Sequence, residues 1–480
     1  MAAIERRQAM GRRELARRDA RLSFSARGFA GVVATMLLMC GLAQALESVP
    51  KAEYKARRMA LAEKLKGGAA IVFAGEEPLL DFMPYRQDED FYYLTGWNEP
   101  GAALIIIGSG PQTTTRLGDV VPAHGYSEVM FLPARNLVTE KYTGVKMDAA
   151  TPEVTTATGV DAVMAVTSLP EVVTKFVSED RTRGAALWTQ RDVPAAKSAV
   201  EFAAAALGIG ADALQTKDVR TLTVDLRTVK SAAEIELLKK AANASMAGQL
   251  AGMRAIKPGV RERTVAGIEI ARMMEEGCER VSYAPIVGSG ANSTTLHYSD
   301  NSAVMEEGDV VVIDEAGEYS MYAADITRTM PAGGKFTARQ KEIYDIVLGA
   351  QRAAAAAFVA GKSNLGGVSQ RGPKVTDALD KVAYDYINTH GKDLHGVPLG
   401  KYFIHSLGHS VGIDVHDPMD YTKPLDKGMV FTIEPGIYIP EEKIGVRIED
   451  VYYVSEDGKL IDLIGNLPHE AADIEAAMRH

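Results

Sequence analysis

The chain reads as an α/β (α+β) protein of two domains, and three observations predict it. Short, wholly apolar runs such as AAIVF (69–73) and ALIII (103–107) alternate with helix-like stretches through the first half, the pattern of strands buried beneath helices. A strong helix-start signal at Ser231 opens the second half. Beyond it, strand-like apolar stretches repeatedly carry a carboxylate, a placement that is costly unless a cation or many hydrogen bonds compensate it. At 480 residues the chain exceeds one typical core, so two domains are expected beside any processed segment.

Residues 1–45 read as a signal peptide. Eight arginines against three acids give the first 28 residues a net charge of +5, and the uncharged run GFAGVVATMLLMCGLAQA (28–45) ends in Ala43-Gln44-Ala45. A basic start, a short apolar stretch and an A-x-A ending predict export to the periplasm or medium, with cleavage after Ala45. Removing this +5 segment takes the net charge from −10 to −15, which points away from nucleic acid and from stable association with an anionic membrane. Cys278 is then the only cysteine, so no intramolecular disulfide can form, and it reads as a half-buried helix residue.

Residues 46–225 form the expected N-terminal α/β domain with a mixed or parallel sheet. AEYKARRMALAEKL (52–65) places Tyr54, Met59, Leu61 and Leu65 near one helix face. Strands follow at 69–73, 103–107 and VMFL (129–132), with helices around 171–177 and over the Ala-rich 194–208. The boundary is placed at Leu226. Ser231 with Glu234 three residues later forms a capping box for a helix running to Ala255. IKPG (256–259) ends it, and a second helix follows over 264–276.

The chemistry lies in residues 226–480. VVVIDEAGEYSMYAADITRT (310–329) carries Asp314 and Asp325, and a hairpin centred between Tyr319 and Ser320 sets them opposite each other. FIHSLGHSVGIDVHD (403–417) adds His405, His409 and His416. MVFTIEPGIYI (429–439) and IGVRIEDVYYV (444–454) place Glu434 and Glu449 inside strands, where unpaired Glu is disfavoured. Ion pairs to Arg328 or Arg447 are the competing account, but they cannot neutralise all four acids. Asp314, Asp325, His409, Glu434 and Glu449 together suit a pair of divalent cations. Oxygen-rich ligation with one imidazole favours Mn²⁺, with Co²⁺ or Zn²⁺ able to substitute, and amide hydrolysis is the natural reaction class.

These residues resemble the pita-bread metallopeptidase family of methionine aminopeptidase, prolidase and aminopeptidase P, and most closely aminopeptidase P. The resemblance implies a pita-bread catalytic domain in which Asp314 binds one ion, Asp325 and Glu449 bridge both, and His409 with Glu434 completes the second site. It implies that His297, in GSGANSTTLHYSDN (288–301), His405 and His416 line the substrate cleft, and that Tyr438 and Arg447 orient the ligands. A hydroxide bridging the ions would attack an N-terminal Xaa-Pro bond, His416 would help stabilise the oxyanion, and Glu434 would pass a proton to the proline nitrogen. RQDEDFYYLTGWNEPGAALII (86–106) resembles the aminopeptidase P N-terminal domain; taken alone it reads as an aromatic core strand and turn. The substrates implied are peptides with proline second, and the assembly implied is a homodimer or homotetramer. A prolidase acting only on dipeptides shares the same ligands, and an inert peptide-binding relative would have lost them. Ser410-Val411, following the ligand His409, departs from the family's pattern at the expected pocket wall.

Overall fold

The computed structural model describes residues 46–78, 85–108, 126–180, 186–372 and 377–479. The expected signal segment, residues 1–45, lies outside them. Among the described residues no helix is long and apolar enough to cross a membrane.

The first part is built from α1 (Lys51–Leu65), β1 (Ala69–Phe73), α2 (Glu89–Thr95), β2 (Ala103–Ile107), β3 (Ser127–Leu132), β4 (Ala162–Ala165), α3 (Leu169–Asp180), β5 (Leu187–Thr189), α4 (Pro194–Ala206) and β6 (Lys217–Asp218). The strands form one sheet in the order β4-β3-β2-β1-β5-β6. The β1–β2–β3 pairs are antiparallel and the remaining pairs parallel, so the sheet is mixed. Ile71, Phe73, Ile105 and Phe131 pack beneath Val173 and Phe176 of α3 and Ala196 and Ala203 of α4. Helices α1 and α2 cover the opposite face, where Leu61, Leu104 and Ile106 are fully buried. Two covered faces explain why β1 and β2 are apolar at every position. Each large side chain so buried contributes roughly 1.5–3 kcal/mol.

The aromatic stretch at 91–94 is helical rather than a strand and turn. The Asp88 side chain caps α2 by accepting from Phe91 N at 2.8 Å, and Gly96 ends the helix at φ 64°.

The second part continues with α5 (Arg220–Thr228), which contains Leu226, then α6 (Ala232–Ala255) and α7 (Glu262–Glu275). Both halves of the expected capping box form: Ser231 Oγ accepts from Glu234 N at 3.2 Å, and Glu234 Oε2 accepts from Ser231 N at 2.9 Å. Cys278 lies beyond the end of α7 rather than within a helix and is buried, not half-buried, against Ala244 and Met273. Burial pushes its thiol up to about 12, which removes it from nucleophilic chemistry.

Strands β7 (Arg280–Val281), β8 (Ile286–Ser289), β9 (Val310–Asp314), β10 (Gly317–Tyr319), β11 (Tyr322–Ala323) and β12 (Thr327–Pro331) precede α8 (Ala338–Ala357) and α9 (Leu379–His390). Then come β13 (Val430–Ile433), β14 (Gly436–Ile439), β15 (Ile444–Arg447), β16 (Asp450–Val454), β17 (Leu460–Asp462) and α10 (Ala471–Ala477). They pair as β12-β9-β8, β11-β10-β7, β13-β16-β17 and β14-β15, all antiparallel.

Candidate metal centre and active-site cleft

The carboxylates sit where the strands break. Asp314 is the last residue of β9 and faces Thr327, not Asp325. The hairpin is centred between Ser320 and Met321, one step beyond the expected centre, because those two residues form the turn at φ 51° and 71°. Moving the centre by one residue moves the cross-strand partner by two. Asp314 and Asp325 therefore become diagonal neighbours on one face instead of facing partners. Glu434 and Glu449 likewise lie between strands rather than inside them. Glu434 precedes Pro435 between β13 and β14, and Glu449 separates β15 from β16 while bridging to Thr327.

His409 is held against β13 in a segment of irregular backbone. Its N–H donates to Thr432 Oγ1 at 3.1 Å and its carbonyl accepts from Thr432 N at 2.8 Å. Gly408 permits this approach, since a Cβ there would lie 2.1 Å from Thr432 O. His409 Nδ1 lies 3.1 Å from Ser410 O. Donation there fixes the tautomer and leaves Nε2 for a ligand.

The five side chains converge. Ligand atoms of Asp314, Asp325 and Glu449 lie within 4.8 Å of one another, as do those of His409, Glu434 and Glu449. His409 Nε2 is 3.2 Å from Asp325 Oδ2, 3.5 Å from Glu434 Oε1 and 4.0 Å from Glu449 Oε1. Two donors on one cation at about 2.1 Å each can be no more than about 4.2 Å apart, so these spacings suit shared ligation. Asp314 Oδ1 is buried and makes no well-formed hydrogen bond, with only the Tyr283 hydroxyl as a neighbouring donor, so a cation would satisfy it.

Without a cation the group is electrostatically strained. Burial pushes Glu434 up to about 7, with Asp325 and Asp314 adding to it against His409 and Arg447. Glu449 is raised well above the carboxylate range by burial and by Asp325, Glu434 and Asp314. Asp314 is raised by burial despite Arg447. Burial opposes charge on His409, yet the hydrogen bond to Asp325 and the field of Glu434 outweigh it and lift the imidazole to about 9.

A cleft of about 520 Å³ opens over these ligands, and His297, His405, His416 and Arg447 line it. The rings of His409 and His416 stack 3.8 Å apart. From the wall, Arg447 donates to Asp314 Oδ2 at 2.6 Å, to the Tyr438 hydroxyl at 2.9 Å and to Thr327 Oγ1 at 3.1 Å. Thr327 in turn donates to Glu449 Oε2 at 2.7 Å. His405 Nε2 lies 2.9 Å from the Tyr438 hydroxyl and its Nδ1 lies 2.9 Å from Ser406 O. Burial and then Arg447 push His405 down to about 3, so it is neutral, protonated on Nδ1 and accepts from Tyr438. His416 is lowered by burial and by His409.

Three groups escaped the sequence reading. Thr327 follows Asp325 by two residues, a strand spacing that could have flagged it. Tyr283, on irregular backbone, lines the cleft and carries no sequence signal. The third is the support of the His416 segment: Asp417 accepts from Arg227 at 2.6 Å and Lys230 at 3.0 Å, while Arg227 also donates to Asp90 at 3.1 Å. Arg86 donates to Ile413 O at 2.7 Å, so the segment at 86–90 buttresses the segment bearing His416. Ser410 and Val411 are both buried and do not line the cleft. Their departure from the family's pattern falls behind the wall, not on it.

Comparison with known proteins agrees with this geometry. Residues 54–184 match the family described as "Aminopeptidase P, N-terminal domain", and residues 236–456 match "Metallopeptidase family M24". The chain is 32% identical to the Xaa-Pro aminopeptidase of Escherichia coli, over 90% of this chain and 99% of that one. It is 27% identical to intermediate cleaving peptidase 55 of Saccharomyces cerevisiae, over 89% and 84% of the two chains. The structure of E. coli aminopeptidase P with the inhibitor Pro-Leu superposes with a TM-score of 0.75 at 30% identity, covering 90% of this chain and 99% of that one. The chain belongs to the aminopeptidase P family of M24 metallopeptidases.

Proposed function

We propose that this protein is an exported aminopeptidase that removes the first residue from peptides with proline in second position, using two divalent cations, most suitably Mn²⁺. The observation that carries the reading is the convergence of all five ligands beneath a cleft lined by three histidines. Of three overlapping donor groups, Asp314/Asp325/Glu449 and His409/Glu434/Glu449 share Glu449, and Asp325/His409/His416 joins them through Asp325 and His409, which supports two ions. Bound there, the cations would polarise a carbonyl and make a water nucleophilic at neutral pH.

The protein's own groups do the rest. Arg447 and Thr327 fix the orientation of Asp314 and Glu449, and Arg447 also anchors Tyr438. His297 and His416 line the cleft, where they would face the scissile carbonyl. Both nitrogens of His405 are engaged, which suits it to shaping the wall. Glu434, which lines the cleft beside His409, is placed to take a proton and return it to the proline nitrogen. That nitrogen bears no hydrogen in the substrate and must gain one to leave.

Export is supported by the basic and apolar residues 1–45 and their Ala43-Gln44-Ala45 ending. We place residues 46–225 in the N-terminal domain and 226–480 in the catalytic domain.

The test compares an Xaa-Pro-Pro tripeptide with the matching Xaa-Pro dipeptide, using residues 46–480 loaded with Mn²⁺ and a chelated control. Metal-dependent release of the first residue from the tripeptide is expected. Cleavage of the dipeptide alone would make the protein a prolidase, and binding without cleavage would make it a binding module.

Metal loading should release protons. In the metal-free protein His409 titrates near 9 and Glu434 near 7, so at pH 7 a proton must leave His409 before it can coordinate. Affinity therefore rises with pH towards 9 and falls in acid. Calorimetric titrations in two buffers of different ionisation heat should give different apparent enthalpies, and equal values would refute the linkage.

A further inference from the structure

His297 reaches the cleft from the stretch between β8 and Val304, a 3₁₀ turn over Gly290–Thr294 followed by irregular backbone, and a single buried carboxylate closes both ends of that stretch. Glu262, the first residue of α7, is 0% exposed. Its Oε1 accepts from Ser289 N and Oγ, both at 2.8 Å, and from Asn292 Nδ2 at 3.1 Å. Its Oε2 accepts from the Tyr298 hydroxyl at 2.9 Å and from Ala303 N at 2.8 Å. One oxygen therefore grips the outgoing arm and the other the returning arm, beginning at the residue after His297. All five of these partners are neutral donors. A buried carboxylate is costly, and here its charge is met by converging dipoles and by its place at the start of a helix.

We propose that Glu262 is a positioning residue for His297, setting where that imidazole stands over the reacting carbonyl. The inference rests on the reading above, in which His297 faces the substrate. Glu262 does not itself touch the cleft. Its effect runs through Tyr298 and Ala303, which fix the backbone on the far side of His297.

Glu262→Gln is the direct test. A carboxamide can still accept on one side, but it presents an N–H₂ to the other, where the Ala303 N–H cannot be accommodated. One arm is released while the shape is kept. We expect kcat to fall about tenfold to a hundredfold with little change in KM, as for other small misplacements of a catalytic group. In a His297→Ala background the same change should cost less than about twofold, because its target is already gone. Tyr298→Phe, which removes one contact, should give a smaller loss of the same kind.

Deuterium exchange over residues 290–303 should quicken in Glu262→Gln and Tyr298→Phe while α6 and the metal content stay as in the parent. That readout needs no turnover, so it tests the clamp even if the protein cleaves no Xaa-Pro peptide. Unchanged exchange in this segment would overturn the proposal. So would an equal activity loss with and without His297, or exchange and metal loss spread over the whole domain, which would make Glu262 a general fold element.

Discussion

Replacing Glu449 with Gln should cripple turnover while costing the metal-free fold no more than about 1 kcal/mol. Burial and three neighbouring carboxylates hold the Glu449 carboxyl well above its usual range, so without metal a charge at this position is disfavoured. A neutral amide of the same shape takes its place at a cost of no more than about 1 kcal/mol, because Thr327, which donates to Glu449 Oε2 at 2.7 Å, can still find an amide oxygen. Metal binding depends on the charge that the substitution removes. Glu449 belongs to two of the three overlapping donor groups, so metal content should drop and kcat/KM should fall on the order of 10³-fold, about 4 kcal/mol of transition-state stabilisation. The rise in melting temperature that excess metal gives the parent, worth about 2.7 kcal/mol at a hundredfold excess over Kd, should largely vanish. Melting curves with chelator and with Mn²⁺, beside metal analysis, separate the two effects. A chelated variant much weaker than the chelated parent would show Glu449 to be structural, and full metal content with full activity would remove it from the centre.

The same feature explains how much of this site could be read from the chain. Carboxylates within apolar runs conflict with local rules, and such conflicts mark function, so Asp314, Asp325, Glu434 and Glu449 stood out. Their exact settings did not. Ser320 and Met321 take positive φ without the Asn-Gly or Gly-Gly signature of a tight hairpin, so the sequence alone centres the hairpin one residue early. Pro435 should have warned that Glu434 ends a strand. In the N-terminal part β1 and β2 were legible because both faces are covered, and the Ser231–Glu234 box fixed the start of α6. Thr337 and Gln340 form a second capping box at α8, a signal that was present but passed over. Tyr283 and the Arg227–Asp417–Lys230 support carry none, since they meet only through the tertiary fold. Arg227 and Asp417 are 190 residues apart.

A second His-and-acid cluster tests whether spacing alone identifies a metal site. Asp450, Asp462 and His469 bring ligand atoms within 4.8 Å of one another, which resembles the catalytic group. The difference is that Arg328 already occupies the centre. Its Nη2 lies 2.7 Å from Asp450 Oδ1 and 2.9 Å from His469 Nε2, its Nη1 donates to the carbonyls of Thr327 and Glu449, and Gln351 donates to Asp450 Oδ2 at 2.8 Å. Both Arg328 and Asp450 are 0% exposed. Burial opposes charge on Asp450, but Arg328 and the hydrogen bond from His469 outweigh it and hold the carboxyl down at about 2. At Asp450 the sign is opposite to that of Glu449, whose carboxyl is forced up, although burial and Asp450 raise the neighbouring Asp462 to about 6: Asp450 already has its cation in Arg328, whereas Glu449 needs one. Asp450→Asn should therefore leave Arg328 charged and unpaired in the interior, at a cost of about 3–5 kcal/mol. The depressed carboxyl contributes its full stability above the unfolded value near 4 and loses it as pH falls towards 2, so the parent's stability should decline across that window more steeply than the variant's. Folded Asp450→Asn should bind as many metal ions as the parent. Loss of an ion without loss of stability would turn this cluster into a metal site, whereas loss of stability alone assigns it to holding β12 and β16 together beneath Glu449.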